Sequence, residues 1–330
     1  MMIVQRLAWI QQWTSRLVVD TDKLCDLLDE KKDILDAADA IEMTECKGAI
    51  EFTNVTFSYN KEPDAIKAVQ NINFRVEPGQ HVALVGETGS GKSTLFKLLF
   101  RFFEVQEGSI KVDGIDVRNV SQRSLRQSLG IVPQEGVLFN ETISANIRYG
   151  DISASDEAVE RAAKAAQLHD RILKWPKKYE TVVGERGVKL SGGEKQRVSI
   201  ARTILKNAQI LLMDEATSAL DTGTEREIQG QLRKLVRACP LTSYFLTLLN
   251  AALKTEGRTT LAIAHRLSTI ANADVILVMK EGRIVEKGSH AELLLRPEGH
   301  YAGLWKAQIE SGASTAYEQS SMTRTEQKRI

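Results

Sequence analysis

The stretch Gly86-Glu87-Thr88-Gly89-Ser90-Gly91-Lys92-Ser93-Thr94 decides how the rest of the chain is read. It fits the spacing G-x-x-x-x-G-K-[ST], and its flanks are those the chemistry needs. His81-Val82-Ala83-Leu84-Val85 before it is an apolar run of strand length, and Leu95-Phe96-Lys97-Leu98-Leu99-Phe100 after it is apolar on a helical period. Strand, glycine-rich turn and helix start together make an anion site, because successive N–H groups point into the turn and the helix dipole favours negative charge there. Gly86, Gly89 and Gly91 let the backbone close on phosphate without a Cβ in the way. Lys92 is spaced to reach the β- and γ-phosphates, and the Ser93 hydroxyl to take one Mg²⁺ position. The expectation is a nucleoside triphosphate site.

The 330 residues allow one large domain or two small ones, and 42% hydrophobic with 26% charged residues is ordinary for a globular chain. A net charge of +1 offers no electrostatic case for wrapping nucleic acid, so no nucleic-acid partner is expected. Cys25, Cys46 and Cys239 are far apart and form no C-x-x-C pair, which argues against a disulfide framework or a zinc site. There is no uninterrupted run of about 18 apolar residues to span a bilayer. The opening residues do not read as a signal peptide, since Gln11, Gln12 and Arg16 break the apolar runs.

Taken in order, residues 1 to about 46 read as a helical and extended lead-in, with Leu24, Leu27, Leu28 and Ile34 giving an apolar stripe through 22–35. Near Gly48 the period changes. Residues 49–57 and 72–76 alternate apolar with polar, as half-buried strands do. Between them Tyr59 has two readings, a half-buried strand aromatic or a platform for an adenine ring. Past the phosphate loop, Asp113-Gly114 marks a turn between residues 108–112 and Val117. Leu129-Gly130-Ile131-Val132-Pro133-Gln134 is a strand ending in a polar amide, the end at which open α/β sheets place ligand groups. Residues 135 to about 206 lack strand signals and carry helical runs such as 156–166 and 193–205, so they read as an inserted helical subdomain. Within it, Leu190-Ser191-Gly192-Gly193-Glu194-Lys195-Gln196-Arg197 combines an N-cap serine with a glutamate three residues on. That is either a well-capped helix start and nothing more, or a second phosphate-binding helix N-terminus. Ile210-Leu211-Leu212-Met213-Asp214-Glu215 is a buried strand that ends in two acids. Successive strand side chains point opposite ways, so Asp214 and Glu215 should take different parts, one toward metal and one toward water. Leu261-Ala262-Ile263-Ala264-His265 is another such strand, its histidine structural or functional. Residues 311–330 have the composition of a disordered tail.

In their order, the phosphate loop, the glutamine after a strand, LSGGEKQR, the apolar strand with Asp-Glu, and Ala-His-Arg resemble the ATP-binding cassette over residues 47–310. Ile131-Val132-Pro133-Gln134 with Leu138-Phe139, 146–150 and 183–187 is similar to the B-type exporters, and among them to half-size transporters of the mitochondrial and heavy-metal-tolerance kind. The resemblance implies an α/β fold: a P-loop NTPase (RecA-like) core with an antiparallel β subdomain and an inserted α-helical subdomain at about 135–206. It implies that residues 1–46 are the connector following a transmembrane domain absent from this sequence. It also implies that Tyr59 stacks on adenine, that residues 86–94 hold the phosphates, and that Ser93, Gln134 and Asp214 serve Mg²⁺. Glu215 would orient the attacking water, with His265, Lys92 and Gln134 completing the catalytic set. Ser191, Gly192, Gly193 and Asp221 would act in trans on a second cassette, giving a head-to-tail dimer that hydrolyses ATP to drive export. Residues 134–139 and 185–187 would face the membrane domain. That places the chain at a membrane, its cassette in the cytosol or mitochondrial matrix, although the fragment alone would be soluble. A non-catalytic nucleotide-binding fragment and a soluble ATPase of the same superfamily are the competing readings.

One segment departs from the family. Residues 236–254 are apolar and carry Pro240, and removing them joins Leu235 to Thr255 in a family-like junction. They read as a loop that docks on a partner or membrane, or, the reading preferred here, as a retained intron or misread gene segment.

Overall fold

The computed structural model describes residues 2–30, 33–60, 62, 65–214, 257–263 and 273–307. Glu215, Asp221, His265, the apolar segment 236–254 and the tail 311–330 lie outside the described residues. The chain divides into two compact units, Met1–Leu35 and Asp36–Ile330.

The first unit is built on one helix, α1 (Met2–Asp29), none of whose residues is buried. It is longer than the stripe at 22–35 suggests and stops before Ile34. No glycine or proline occurs before Gly48, so nothing in the sequence interrupts the helix from its first residues. Among the described residues, no helix is long and apolar enough to cross a membrane.

The second unit starts from an antiparallel sheet. Its strands are β1 (Ile50–Phe57), β2 (Val69–Val76), β4 (Glu107–Val112) and β5 (Ile115–Asp116), in the order β2-β1-β4-β5. The alternation read from the sequence puts Phe52 opposite Phe74, their rings stacked at 4.5 Å. Asp113, at φ 51°, turns β4 into β5. Its carboxylate accepts from the backbone N–H of Lys47, Gly48 and Ala49 at 2.7, 3.3 and 2.7 Å. Ahead of that clasp, Ile41 bridges Val120, and Asp36 accepts from the buried guanidinium of Arg101 and from the Gln122 N–H. Residues 36–49 are thus hydrogen-bonded along the second unit.

The central sheet takes β3 (His81–Gly86), β6 (Leu129–Val132), β9 (Ile210–Asp214), β10 (Thr259–Ile263), β11 (Val275–Lys280) and β12 (Arg283–Gly288). Among the described residues their order is β12-β11-β3-β10-β9-β6. All pairings but β11–β12 are parallel. Continuous apolar runs suit this position because both faces are covered. Val82 and Leu84 join one core with the antiparallel sheet and α2 (Lys92–Leu99). Ala83 and Val85 face another with Leu293 of α8 (His290–Leu294) and Tyr301. Truncating a fully buried Leu84 to Ala would cost about 2–5 kcal/mol.

α3 (Gln122–Ser128) leads into β6. α4 (Ile143–Arg148), α5 (Asp156–Ala165), α6 (His169–Leu173) and α7 (Gly192–Lys206) then build a third core with Val132, Leu211 and Met213. Residues 135–206 are not wholly without strands: β7 (Glu141–Thr142) pairs antiparallel with β8 (Val182–Val183). Each is two residues long, too short for any alternation to register in sequence.

Candidate functional site

The parallel register aligns the carboxyl ends of five strands along one edge. Val132 lies beside Met213, Ile263 beside Asp214 and Leu84, and Gly86 beside Met279. This is where an open α/β sheet receives its ligand, and it explains why three strands read from sequence each end in a polar residue.

At the middle of that edge β3 gives way to the phosphate loop and α2. The loop leaves no room for side chains on its inner side. A Cβ on Gly86 would stand 2.2 Å from the Met279 carbonyl oxygen, and one on Gly91, at φ 96°, 2.5 Å from that of Ala68. β11 of the central sheet thus closes on Gly86 and the start of β2 on Gly91, while around Gly89 there is open space. Lys92 folds back inside the turn, where its Nζ donates to the carbonyl oxygens of Gly86 and Glu87 at 2.8 and 2.7 Å and to Ser90 Oγ at 3.3 Å. The side chain is 6% exposed. A buried ammonium ringed by carbonyls is a cation held in place where a polyphosphate would need it. Ser93, one residue into α2, is exposed.

Tyr59 stands beside this loop. Its hydroxyl shares a hydrogen bond with Thr94 Oγ1 at 3.2 Å, and its ring meets Phe57 and Phe103 edge to face at 5.1 and 5.2 Å. Lys97 Nζ lies 5.4 Å from the ring centre. The ring remains half exposed. Sequence reasoning missed Phe103 and Lys97 as its supports. The signal present was the aromatic cluster Phe100, Phe102 and Phe103 directly after α2.

Gln134 follows β6 and is exposed, and Asp214 ends β9 half-buried. Among the described residues no group of three or more His, Cys, Asp or Glu could cage a metal. A hydroxyl, an amide and a single carboxylate, all oxygen donors, suit a hard cation that keeps waters and takes its remaining ligands from phosphate. Ser93, Gln134 and Asp214 fit Mg²⁺ on that chemistry.

Ser191, Gly192 and Gly193 lie at the start of α7. The helix runs antiparallel to β6 and is fastened along it. Lys206 Nζ donates to Leu129 O at 2.7 Å, Thr203 Oγ1 to Ile131 O at 2.9 Å, and Gln196 Nε2 to Pro133 O at 3.3 Å. The α7 N-terminus thus points past Pro133 toward the strand ends. Arg202, unanticipated from sequence, clamps the loop after Gln134. It donates from Nη1 to Val137 O, from Nε to Asn146 O and from Nη2 to Asn146 Oδ1, each at 2.6 Å. Its guanidinium also lies against the rings of Phe139 and Tyr149. Asn146 in turn exchanges hydrogen bonds with Phe139, taking its N–H at 2.9 Å and donating to its carbonyl at 3.0 Å.

Residues 69–218 match the ABC transporter family. Over 298 residues the chain is 52% identical to ATP-binding cassette sub-family B member 6 of Xenopus tropicalis, covering 90% of this chain and 32% of that protein. It is 52% identical over 291 residues to heavy metal tolerance factor 1 of Caenorhabditis elegans, covering 88% and 34%. Among solved structures it is similar to a bacterial Atm1-family ABC exporter with ATP bound, at TM-score 0.73 and 45% identity, covering 88% of this chain and 47% of that one. The chain spans about a third of the length of the curated relatives it matches.

Proposed function

The chain carries an ATP-binding cassette of the ABC transporter family, and from that premise we propose that it hydrolyses ATP as the motor of an exporter, paired head to tail with a second cassette. The observation that carries the reading is the buried Lys92, its Nζ fixed by the loop's own carbonyls beside the exposed Ser93. Phosphoryl transfer asks a protein for placement and charge neutralisation more than for covalent chemistry. Tyr59 would hold the base, residues 86–94 the phosphates, and Glu215 with His265 the attacking water and the γ-phosphate. Ser93, Gln134 and Asp214 would hold Mg²⁺, whose charge would offset that of the phosphates. Ser191, Gly192, Gly193 and Asp221 would complete the site of the second cassette, which makes turnover conditional on dimerisation.

By this reading residues 1–46 connect the cassette to membrane-spanning segments of a longer protein, and 134–139 with 185–187 face them. The cassette would then lie at a membrane, on its cytosolic or matrix side. Lys92→Ala should lower magnesium-dependent ATP turnover by on the order of 100-fold, the scale of removing one preorganised charge donor. An ATPase assay of the chain at saturating ATP measures it, and unchanged turnover would reject the site. Glu215→Gln should keep ATP binding while stopping hydrolysis to a similar extent, followed by nucleotide titration beside the same assay.

A further inference from the structure

The start of α7 carries a charge ill-suited to receiving a polyphosphate. Glu194 closes a capping box: the Ser191 N–H donates to Glu194 Oε2 at 2.8 Å, and the Glu194 N–H donates to Ser191 Oγ at 3.3 Å. Because Ser191 Oγ accepts from its own helix, the hydroxyl proton is left to donate outward. The same box fixes a carboxylate in the first helical turn. Toward an incoming phosphate that charge is repulsive, and it opposes the attraction of the helix dipole.

Arg171 in α6 meets that carboxylate. Its Nε donates to Glu194 Oε1 at 2.6 Å, with the two side chains 53% and 13% exposed. Burial alone would raise the Glu194 carboxyl, but the hydrogen bonds from Ser191 and Arg171 prevail and hold it below the ordinary glutamate range. Glu194 is therefore ionised at neutral pH, and its charge is balanced by one neighbour from another helix.

We propose that Arg171 is a positioning residue for the ATP reaction: by holding and neutralising Glu194, it lets Ser191, Gly192 and Gly193 receive the polyphosphate bound to a second copy of this chain. The proposal rests on the reading above that these three residues act in trans. An ion pair that merely joined α6 to α7 would contribute little at this exposure, and its loss would not be repaired by removing the charge at position 194. A charge-balancing role predicts that repair.

The test is ATP-dependent association of the full chain, carrying Glu215→Gln to suppress hydrolysis, measured by sedimentation at several NaCl concentrations. Arg171→Ala should weaken association roughly three- to tenfold at low salt, with the gap narrowing as salt screens the bare carboxylate. Arg171→Lys should stay near the parent, and Arg171→Ala with Glu194→Gln should return to within about twofold of it. Binding of a fluorescent ATP analogue to the monomer should be alike in all of them, because residues 86–94 are untouched. Unchanged association in Arg171→Ala, or a double variant as weak as the single, overturns the proposal and leaves the two-cassette reading standing. If Arg171→Ala does not fold, Glu194→Gln alone decides, since association weaker than the parent's overturns the proposal. A parent that never associates in ATP overturns the two-cassette reading and this proposal with it.

Discussion

Asp113 illustrates how much one side chain can organise. Its place in an Asp-Gly turn follows from the sequence, and its left-handed backbone suits aspartate or asparagine. Its carboxylate then takes three consecutive backbone N–H groups from residues 47–49, which fastens the segment entering β1. Asp113→Ala should destabilise the second unit by about 1–3 kcal/mol, the cost of leaving partly buried donors without their acceptor. Asp113→Asn should cost less, as it keeps one acceptor oxygen and tolerates the backbone. Urea unfolding of both variants against the parent checks the order, and equal stability of Asp113→Ala and the parent would refute it.

Among the elements, α7 joins the most distant parts of the site. Its cap Ser191 and first residue Gly192 are exposed, while Gln196, Thr203 and Lys206 bind the carbonyls of β6 and of the residue after it. Arg202, on the same helix, holds the loop that follows Gln134. A displacement of that loop must therefore strain the helix carrying Ser191, and the reverse. Arg202→Ala should cost about 2–3 kcal/mol, because the carbonyls of Val137 and Asn146 lose a charged donor. Arg202→Lys should recover little, since an ammonium cannot repeat a planar three-way fork. Hydrogen exchange should quicken across 137–147 and stay unchanged across 86–94. Equal quickening at both would mean global loosening rather than release of one loop.

At the scale of the whole molecule, α1 exposes Trp9, Trp13, Leu17, Leu24 and Leu27, and the chain spans about a third of its curated relatives. Exposed apolar surface of this kind favours association in water. In the sequence, 236–254 is also apolar, with Leu241, Tyr244, Phe245, Leu248 and Leu249. Deleting 236–254 should raise the concentration at which the chain stays monomeric in light scattering, and leave nucleotide affinity unchanged. A loss of nucleotide binding on deletion would make the segment part of the fold.

Features held within a few residues were legible in the sequence. The phosphate loop, the Asp113-Gly114 turn, the capping box of Ser191 and Glu194, and the strands ending at Gly86, Val132 and Asp214 all follow from local steric and hydrogen-bonding rules, although the strand read as running to Gln134 stops two residues short of it. The roles expected for Glu215, Asp221 and His265 stand only on the resemblance of their motifs to the family, and these residues lie outside the described ones. Tertiary structure alone decided which side chains support those motifs. Asp36 reaches Arg101 across 65 positions, Arg202 reaches Asn146 across 56, and Arg171 reaches Glu194 across 23. No spacing rule carries such pairs, because a side chain's partner over these separations is set by how helices and sheets pack, and packing is a property of the assembled core.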